Sequence, residues 1–121
     1  MPNRVNQFEI WQVNLNPTKG SKQQGIRPCL ILQTNAAGDY GRTTLIAPIT
    51  SKKTDIIYPF EIKIAESDSN RLPELSKVKF DQIRVIDKSR LVKKIGVMEK
   101  KYWATTLSAI NVIFDLDGNF R

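Results

Sequence analysis

The chain has no histidine and a single cysteine among its 121 residues. Without an imidazole there is no histidine acid, base or metal ligand, which makes zinc sites implausible and removes the base of the classical serine and cysteine hydrolases. Cys29 lacks a second thiol for an intrachain disulfide, and its place between Pro28 and Leu30 predicts a small buried residue. Catalysis, if there is any, must use Arg, Lys, Asp, Glu, Ser, Thr or Tyr, and we expect no metal and no cofactor.

Long apolar segments are also missing. A membrane span needs about eighteen consecutive apolar residues, and no run in this sequence approaches that length. Residues 1–7 lack the apolar centre of a signal peptide. The glycines match neither a phosphate-binding P-loop nor a dinucleotide fingerprint. We therefore expect a soluble, cytoplasmic protein that has no membrane partner and no nucleotide cofactor.

Positive charge is the main compositional feature. Nineteen Lys and Arg residues against twelve Asp and Glu give a net charge of +7, which favours an acidic partner such as a nucleic acid, an anionic membrane or an acidic protein. Nine of the basic residues and only three acids lie within residues 77–101. This segment is either a binding surface or an ordinary solvated face. A chain of this length is expected to form one domain, residues 1–121.

Short apolar runs with a period of two dominate the first three quarters of the chain and predict strands joined by turns. The predicted strands are Phe8 to Asn14, Pro28 to Thr34, Thr43 to Thr50, Tyr58 to Ile64 and Leu91 to Met98. The apolar alternation resumes at Lys77 and predicts a further strand, but its phase flips near Gln82. The flip predicts either a bulge or a strand end followed by a new element. The pattern as a whole indicates a mainly β fold.

One helix is predicted, from Glu99 to Phe114. Apolar residues recur along it at intervals of three and four, and they form two adjoining stripes. The stripes are Trp103, Leu107, Ile110 and Phe114, and beside them Tyr102, Thr106, Ala109 and Ile113. We interpret this broad face as core packing or a dimer contact.

A polar loop, Asn16 to Pro28, separates the first two predicted strands. It carries three cations and two glycines and ends on Arg27, which lies between Gly25 and Pro28. A loop that only reversed the chain could be much shorter, so its composition indicates a backbone shaped around an anion.

Four separated pieces of the chain together resemble the MazF/PemK family of toxin endoribonucleases. They are Glu9 to Trp11, Gly20 to Pro28, Ala47 to Ser51 and Lys79 to Asp87. The resemblance covers nearly the whole chain. It implies an SH3-like small β-barrel of about six or seven strands with a C-terminal helix, and a homodimer that is neutralised by an acidic antitoxin. It also implies cleavage of single-stranded RNA that leaves a 2′,3′-cyclic phosphate and a 5′-hydroxyl.

RNA supplies its own nucleophile, the 2′-hydroxyl, so the residues need only move protons and stabilise charge. Arg27 is expected to hold phosphate oxygens with its planar guanidinium, and the resemblance implies a catalytic arginine there. By the same resemblance Thr50 contacts the scissile phosphate with Ser51 beside it. The resemblance also implies a base at Asp81 and a cation at Lys79, and the two are expected to share one strand face.

Further residues are expected to bind RNA, and two of them depart from the family pattern. Gln82 and Arg84 are expected to contact a base edge and a phosphate, and Ser21 and Gln23 lie in the polar loop. The loop has Lys22 where many relatives carry a glutamate, so the charge is reversed. Glu9 keeps a carboxylate where relatives have the aspartate of an Arg-Gly-Asp start, so either Asp81 or Glu9 could be the base.

Two other functions stay open at this point. The same fold resembles that of the CcdB-type gyrase poisons, which bind a protein and cut nothing. Alternatively, Lys22 could mark a module that binds RNA or antitoxin but has lost catalysis. Arg27 and Thr50 favour the ribonuclease.

Overall fold

The computed structural model describes residues 4–16, 25–38 and 41–121. Within these ranges the strands are β1 (Glu9–Asn14), β2 (Ile26–Ile31), β3 (Thr43–Thr50), β4 (Glu61–Ile64), β5 (Ser76–Lys79), β6 (Arg84–Asp87) and β7 (Leu91–Val97). The helices are α1 (Asn35–Gly38) and α2 (Trp103–Phe114), with short 3₁₀ turns at Phe80–Gln82, Lys88–Arg90 and Lys100–Tyr102. The mainly β prediction and the C-terminal helix are confirmed.

The strands form one antiparallel sheet in the order β4-β5-β3-β2-β1-β7, and β6 also pairs with β3. No pairing between β4 and β7 closes this path in the described ranges, so "barrel" describes the fold only loosely. The strand predicted at Lys77 ends at Lys79, and a 3₁₀ turn precedes β6. The apolar phase flip therefore marks a strand end and not a bulge.

The central strands are buried on both faces. One core cluster contains Ile10, Leu30 and Ala47, and it packs against α2 through Ala109. A second cluster contains the alternate residues of the same strands, Trp11, Cys29 and Ile46 among them. Because both faces are covered, β2 and β3 read as near-continuous apolar runs.

Helix α2 buries the middle of one predicted stripe and leaves most of the other exposed. Thr106 and Ala109 are 2% exposed, whereas Leu107 is 70% exposed and Phe114 56%. Trp103 contacts the Phe8 ring at a centroid distance of 5.2 Å and is still partly exposed. An apolar stripe of this helix therefore faces outward. None of the helices in the described ranges has the length and apolar content needed to cross a membrane.

A buried ion pair fixes the segment between β3 and β4. Lys77 Nζ lies 3.0 Å from Glu61 Oε1, and the two side chains are 5% and 2% exposed. Lys77 Nζ also donates to the Ile56 carbonyl at 3.0 Å, and Tyr58 N donates to Glu61 Oε1 at 3.1 Å. The sequence suggested that Lys77 belonged to a basic surface, but β4–β5 pairing encloses it.

Replacing Lys77 with methionine would leave the Glu61 carboxylate buried without its cation. We expect the free energy of unfolding to fall by about 3–5 kcal/mol, because one charge of a buried pair is left uncompensated. Chemical denaturation followed by tryptophan fluorescence measures this change. The double variant Lys77→Met/Glu61→Leu should recover most of the loss. A loss no larger than that of Lys63→Met, at an exposed position of β4, would contradict the assignment.

Candidate active site

A cavity of about 110 Å³ lies where β2 begins and β3 ends. It brings together three of the predicted residues, Arg27, Thr50 and Ser51. The other lining residues are Pro28, Ile49, Lys52, Pro73 and Ser76. These residues come from three separate parts of the chain, so the cavity depends on the sheet and not on one local motif.

Strand register explains why Arg27 and Thr50 meet. Cys29 pairs with Pro48 in the antiparallel β2–β3 ladder. Continuing that register by two residues brings Arg27 opposite Thr50, and the period of two places both on the same face as Cys29. The Arg27 side chain is exposed, as a phosphate-binding group must be.

The base of the polar loop is closed by hydrogen bonds beside Arg27. Leu15 N donates to the Gly25 carbonyl at 2.9 Å, and Gly25 N donates to Asn16 Oδ1 at 2.9 Å. Gly25 has φ of +78°, a conformation that strains residues with a Cβ. These contacts set the direction in which the chain enters β2. Ser21, Lys22 and Gln23 lie outside the described residues.

At the other wall, Thr50 sits at a strand end that turns into an exposed segment. Its hydroxyl oxygen accepts a hydrogen bond from Lys52 N at 3.1 Å. Since the oxygen is the acceptor, the hydroxyl hydrogen is left to donate to a ligand. Lys52 is exposed on the same cavity wall and adds a second cation to Arg27. Sequence reasoning missed Lys52, although its position next to Ser51 was a signal.

Arg84 lies on β6 opposite Ile46, on the sheet face that carries Cys29. Its Nη1 is buried and has no hydrogen-bond partner among the described residues. Burial raises the pKa of the Cys29 thiol to about 12, and the nearby Arg84 guanidinium opposes part of that rise. A buried guanidinium nitrogen without a partner is costly, and an oxygen ligand would satisfy it.

The remaining predicted residues between β5 and β6 do not line the cavity. Lys79 ends β5 and pairs with Glu61, whereas Asp81 and Gln82 belong to the following 3₁₀ turn. The prediction that Lys79 and Asp81 share a strand face is wrong, because the strand ends between them. Asp81 is exposed on a turn between two strands that both pair with β3.

The structure places Glu9 apart from the cavity, in a bonded network. It is 5% exposed, and its carboxylate accepts from Asn6, Trp11 Nε1 and Lys94 Nζ, the last at 2.9 Å. Burial alone would raise the pKa of the Glu9 carboxyl, but hydrogen bonds from Asn6, Lys94 and Trp11 outweigh it and hold the pKa below its ordinary value. Val13 pairs with Arg27, and Glu9 lies four residues earlier, which is about 13 Å along the strand.

Comparison with known proteins agrees with this fold. Residues 6–114 match the model of the family described as PemK-like, MazF-like toxin of type II toxin-antitoxin system. A curated relative, Endoribonuclease MazF of Staphylococcus saprophyticus, is 31% identical over 89% of both chains.

Two solved structures have the same architecture. Mycobacterium tuberculosis toxin MazF-mt6 superposes with a TM-score of 0.75 at 25% identity, over 90% of this chain and 98% of that one. A mycobacterial endoribonuclease in complex with its cognate antitoxin gives 0.76 at 18% identity, over 93% and 97%. The second likeness concerns the fold alone. The chain therefore belongs to the PemK-like, MazF-like toxin family of type II toxin–antitoxin systems.

Proposed function

We propose that this toxin is an endoribonuclease that cuts single-stranded RNA at the Arg27–Thr50 cavity without a metal ion. The observation that carries the proposal is the meeting of Arg27 and Thr50 on one face, at the ends of adjacent strands. Family membership favours this function over the gyrase-poison alternative, since its curated relatives are endoribonucleases. Because the proposed substrate is mRNA, we propose that the toxin acts in the cytoplasm.

The proposed reaction needs a charge partner and two proton transfers. The 2′-oxygen attacks the adjacent phosphorus and the bond from phosphorus to the 5′-oxygen breaks, which leaves a 2′,3′-cyclic phosphate. Arg27 stabilises the extra negative charge on the phosphate oxygens, and the Thr50 hydroxyl donates to one of them. The departing 5′-oxygen takes up a proton from solvent water and becomes a hydroxyl.

Asp81 is the proposed acceptor of the 2′ proton. It is exposed beside β3, whereas the Glu9 carboxylate is buried and bonded to three residues. The remaining predicted residues would hold the strand on either side of the cut: Ser51, Lys79, Gln82 and Arg84, with Ser21, Lys22 and Gln23 from the polar loop.

We further propose that the chain, a single domain, works as a homodimer and is neutralised by an acidic antitoxin. The outward apolar stripe of α2 supports the dimer, because Trp103, Leu107 and Phe114 are all exposed. The net charge of +7 supports an acidic partner.

Cleavage should persist when divalent metals are removed. Incubation of the purified protein with a defined RNA pool in EDTA is expected to give discrete cuts, because the proposed charge partner is Arg27. Sequencing of the new ends should find 5′-hydroxyls opposite 2′,3′-cyclic phosphates. Absence of discrete cuts, or their loss on chelation, would contradict the proposal and would favour a module that binds without cutting.

Replacement of Arg27 by alanine should lower the cleavage rate by at least about a hundredfold, as loss of a transition-state charge partner does. Single-turnover cleavage of one defined RNA measures the rate. Arg42→Ala is the matched control, since the Arg42 side chain is 90% exposed and forms an ion pair with Asp87 at 3.9 Å. Equal rates for the two variants would remove Arg27 from the mechanism.

Sedimentation at micromolar concentration should show a dimer that Leu107→Glu weakens, because a carboxylate would enter the apolar stripe of α2. Ser108→Glu is the control, since Ser108 is exposed on a different side of the same helix. A monomeric wild-type protein, or equal behaviour of the two variants, would contradict the proposed interface.

A further inference from the structure

A second concave surface lies beside the proposed active site, across β1 and β7. It has a volume of about 430 Å³ and is lined by Gln12, Arg71, Lys93, Lys94 and Ile95. We call it the β1–β7 groove. Three of its five lining residues are cations, and only one is apolar.

The charge of the groove rests on Arg71 and Lys93. Lys94 is bound to the buried Glu9 carboxylate at 2.9 Å. Arg71 and Lys93 are both exposed, and neither forms an ion pair with an acidic residue in the part of the chain that the structure describes. The groove therefore presents two uncompensated positive charges to solvent.

The segment that carries Arg71 is fixed against β7. Val97 N donates to the Ser69 carbonyl at 2.9 Å, and a Cβ at Gly96 would lie 2.5 Å from that carbonyl oxygen. Asn70 is fully buried, and its amide donates to Glu99 and to the Ala65 carbonyl. Arg71 thus projects from an ordered backbone.

The groove and the active-site cavity adjoin at two places. Gln12 in the groove pairs with Pro28, which lines the cavity, and pairs on its other side with Lys93. Arg71 precedes Pro73 by two residues, and Pro73 also lines the cavity. From β3 to β7 the path crosses three strand spacings, or about 14 Å. That length suits a few nucleotides of an extended strand.

We propose that the β1–β7 groove binds the phosphate backbone of the RNA strand that leaves the cavity, with Arg71 and Lys93 as its phosphate contacts. The inference rests on the proposed ribonuclease activity. It assigns these residues to affinity and not to the chemical step, because they lie beyond the residues that line the cavity. Backbone contacts of this kind are independent of sequence and depend on salt.

An acidic peptide is the other ligand with matching charge, and the groove suits it less. Peptides usually bind to apolar pockets or add a strand to a regular sheet edge. Here the only apolar lining residue is Ile95, and the β1–β7 pairing has two register shifts with lysines along β7. Irregular, lysine-bearing edges oppose strand addition.

The test compares Arg71→Gln/Lys93→Gln with Lys63→Gln/Lys101→Gln. The control pair removes the same charge from exposed lysines beside β4 and α2. Binding is measured by fluorescence anisotropy over a salt series, with a cleavable-sequence RNA that carries a 2′-deoxy group at the scissile position. Two truncated RNAs are also used, one without the nucleotides 5′ of the cut and one without those 3′ of it. Their binding shows on which side of the cut the groove contacts the strand. Thermal melting of both variants checks that they are folded.

We expect the groove variant to weaken binding of the full RNA and to flatten the plot of log affinity against log salt by about 0.7 for each lost phosphate contact. One of the truncated RNAs should bind the groove variant and the wild type equally, and kcat on saturating cleavable RNA should be unchanged. The control variant should keep the salt slope of the wild type.

Equal affinities and salt slopes for the groove and control variants would overturn the inference. So would a groove variant that binds RNA normally but resists neutralisation by the antitoxin, because the groove would then be a peptide site. A wild-type protein that binds the deoxy-substituted RNA but never cuts the unmodified RNA refutes the proposed function itself. That result is distinct from both others.

Discussion

The pairing of β3 with three other strands holds the rest of the molecule in place. Its first half pairs with β6, its second half with β5, and its other edge with β2. The contact with β2 brings Arg27 to Thr50, and the contact with β6 brings Arg84 onto the face of Cys29. A shift of one residue in any of these ladders would turn the proposed catalytic residues to the opposite face. The mostly apolar sequence of β3, buried on both sides, opposes such a shift.

Much of the fold was predictable because it depends on local periodicity. The bounds of β3 agree with the prediction at both ends, and those of β1 and β7 differ by one residue at one end. The helix was predicted, but not which of its stripes would be buried. The stripe with the larger apolar residues, which contains Leu107 and Phe114, is the more exposed one. Apolar character alone would therefore have selected the wrong face, and only the position of the sheet decides between the two. Likewise, the phase flip at Gln82 allowed a bulge or a strand end, and the pairing of β5 and β6 with β3 determined the outcome.

The site was predictable where residue chemistry was sufficient, and not where partners come from distant parts of the chain. Arg27 and Thr50 were selected from motifs, and the β2–β3 register unites them. Lys77 looked like one more surface cation, because the residues around it in the sequence do not show that Glu61 lies on the neighbouring strand at ion-pair distance. Glu9 was a candidate base for the same reason, before its bonds to Asn6, Trp11 and Lys94 were known. Charged residues are thus the ones whose roles depend most on tertiary structure.

The hydrogen bonds among Leu15, Asn16 and Gly25 make the position of Arg27 independent of the composition of residues 17–24, although both belong to the same polar loop. Because both ends of residues 17–24 are anchored by described residues, the entry of the chain into β2 is set independently of the side chains between them. Substitutions among residues 17–24, Lys22 included, are therefore expected to leave Arg27 in its position. Residues 17–24 can therefore be exchanged between relatives without rebuilding the proposed catalytic face, which makes loop grafting a reasonable engineering route.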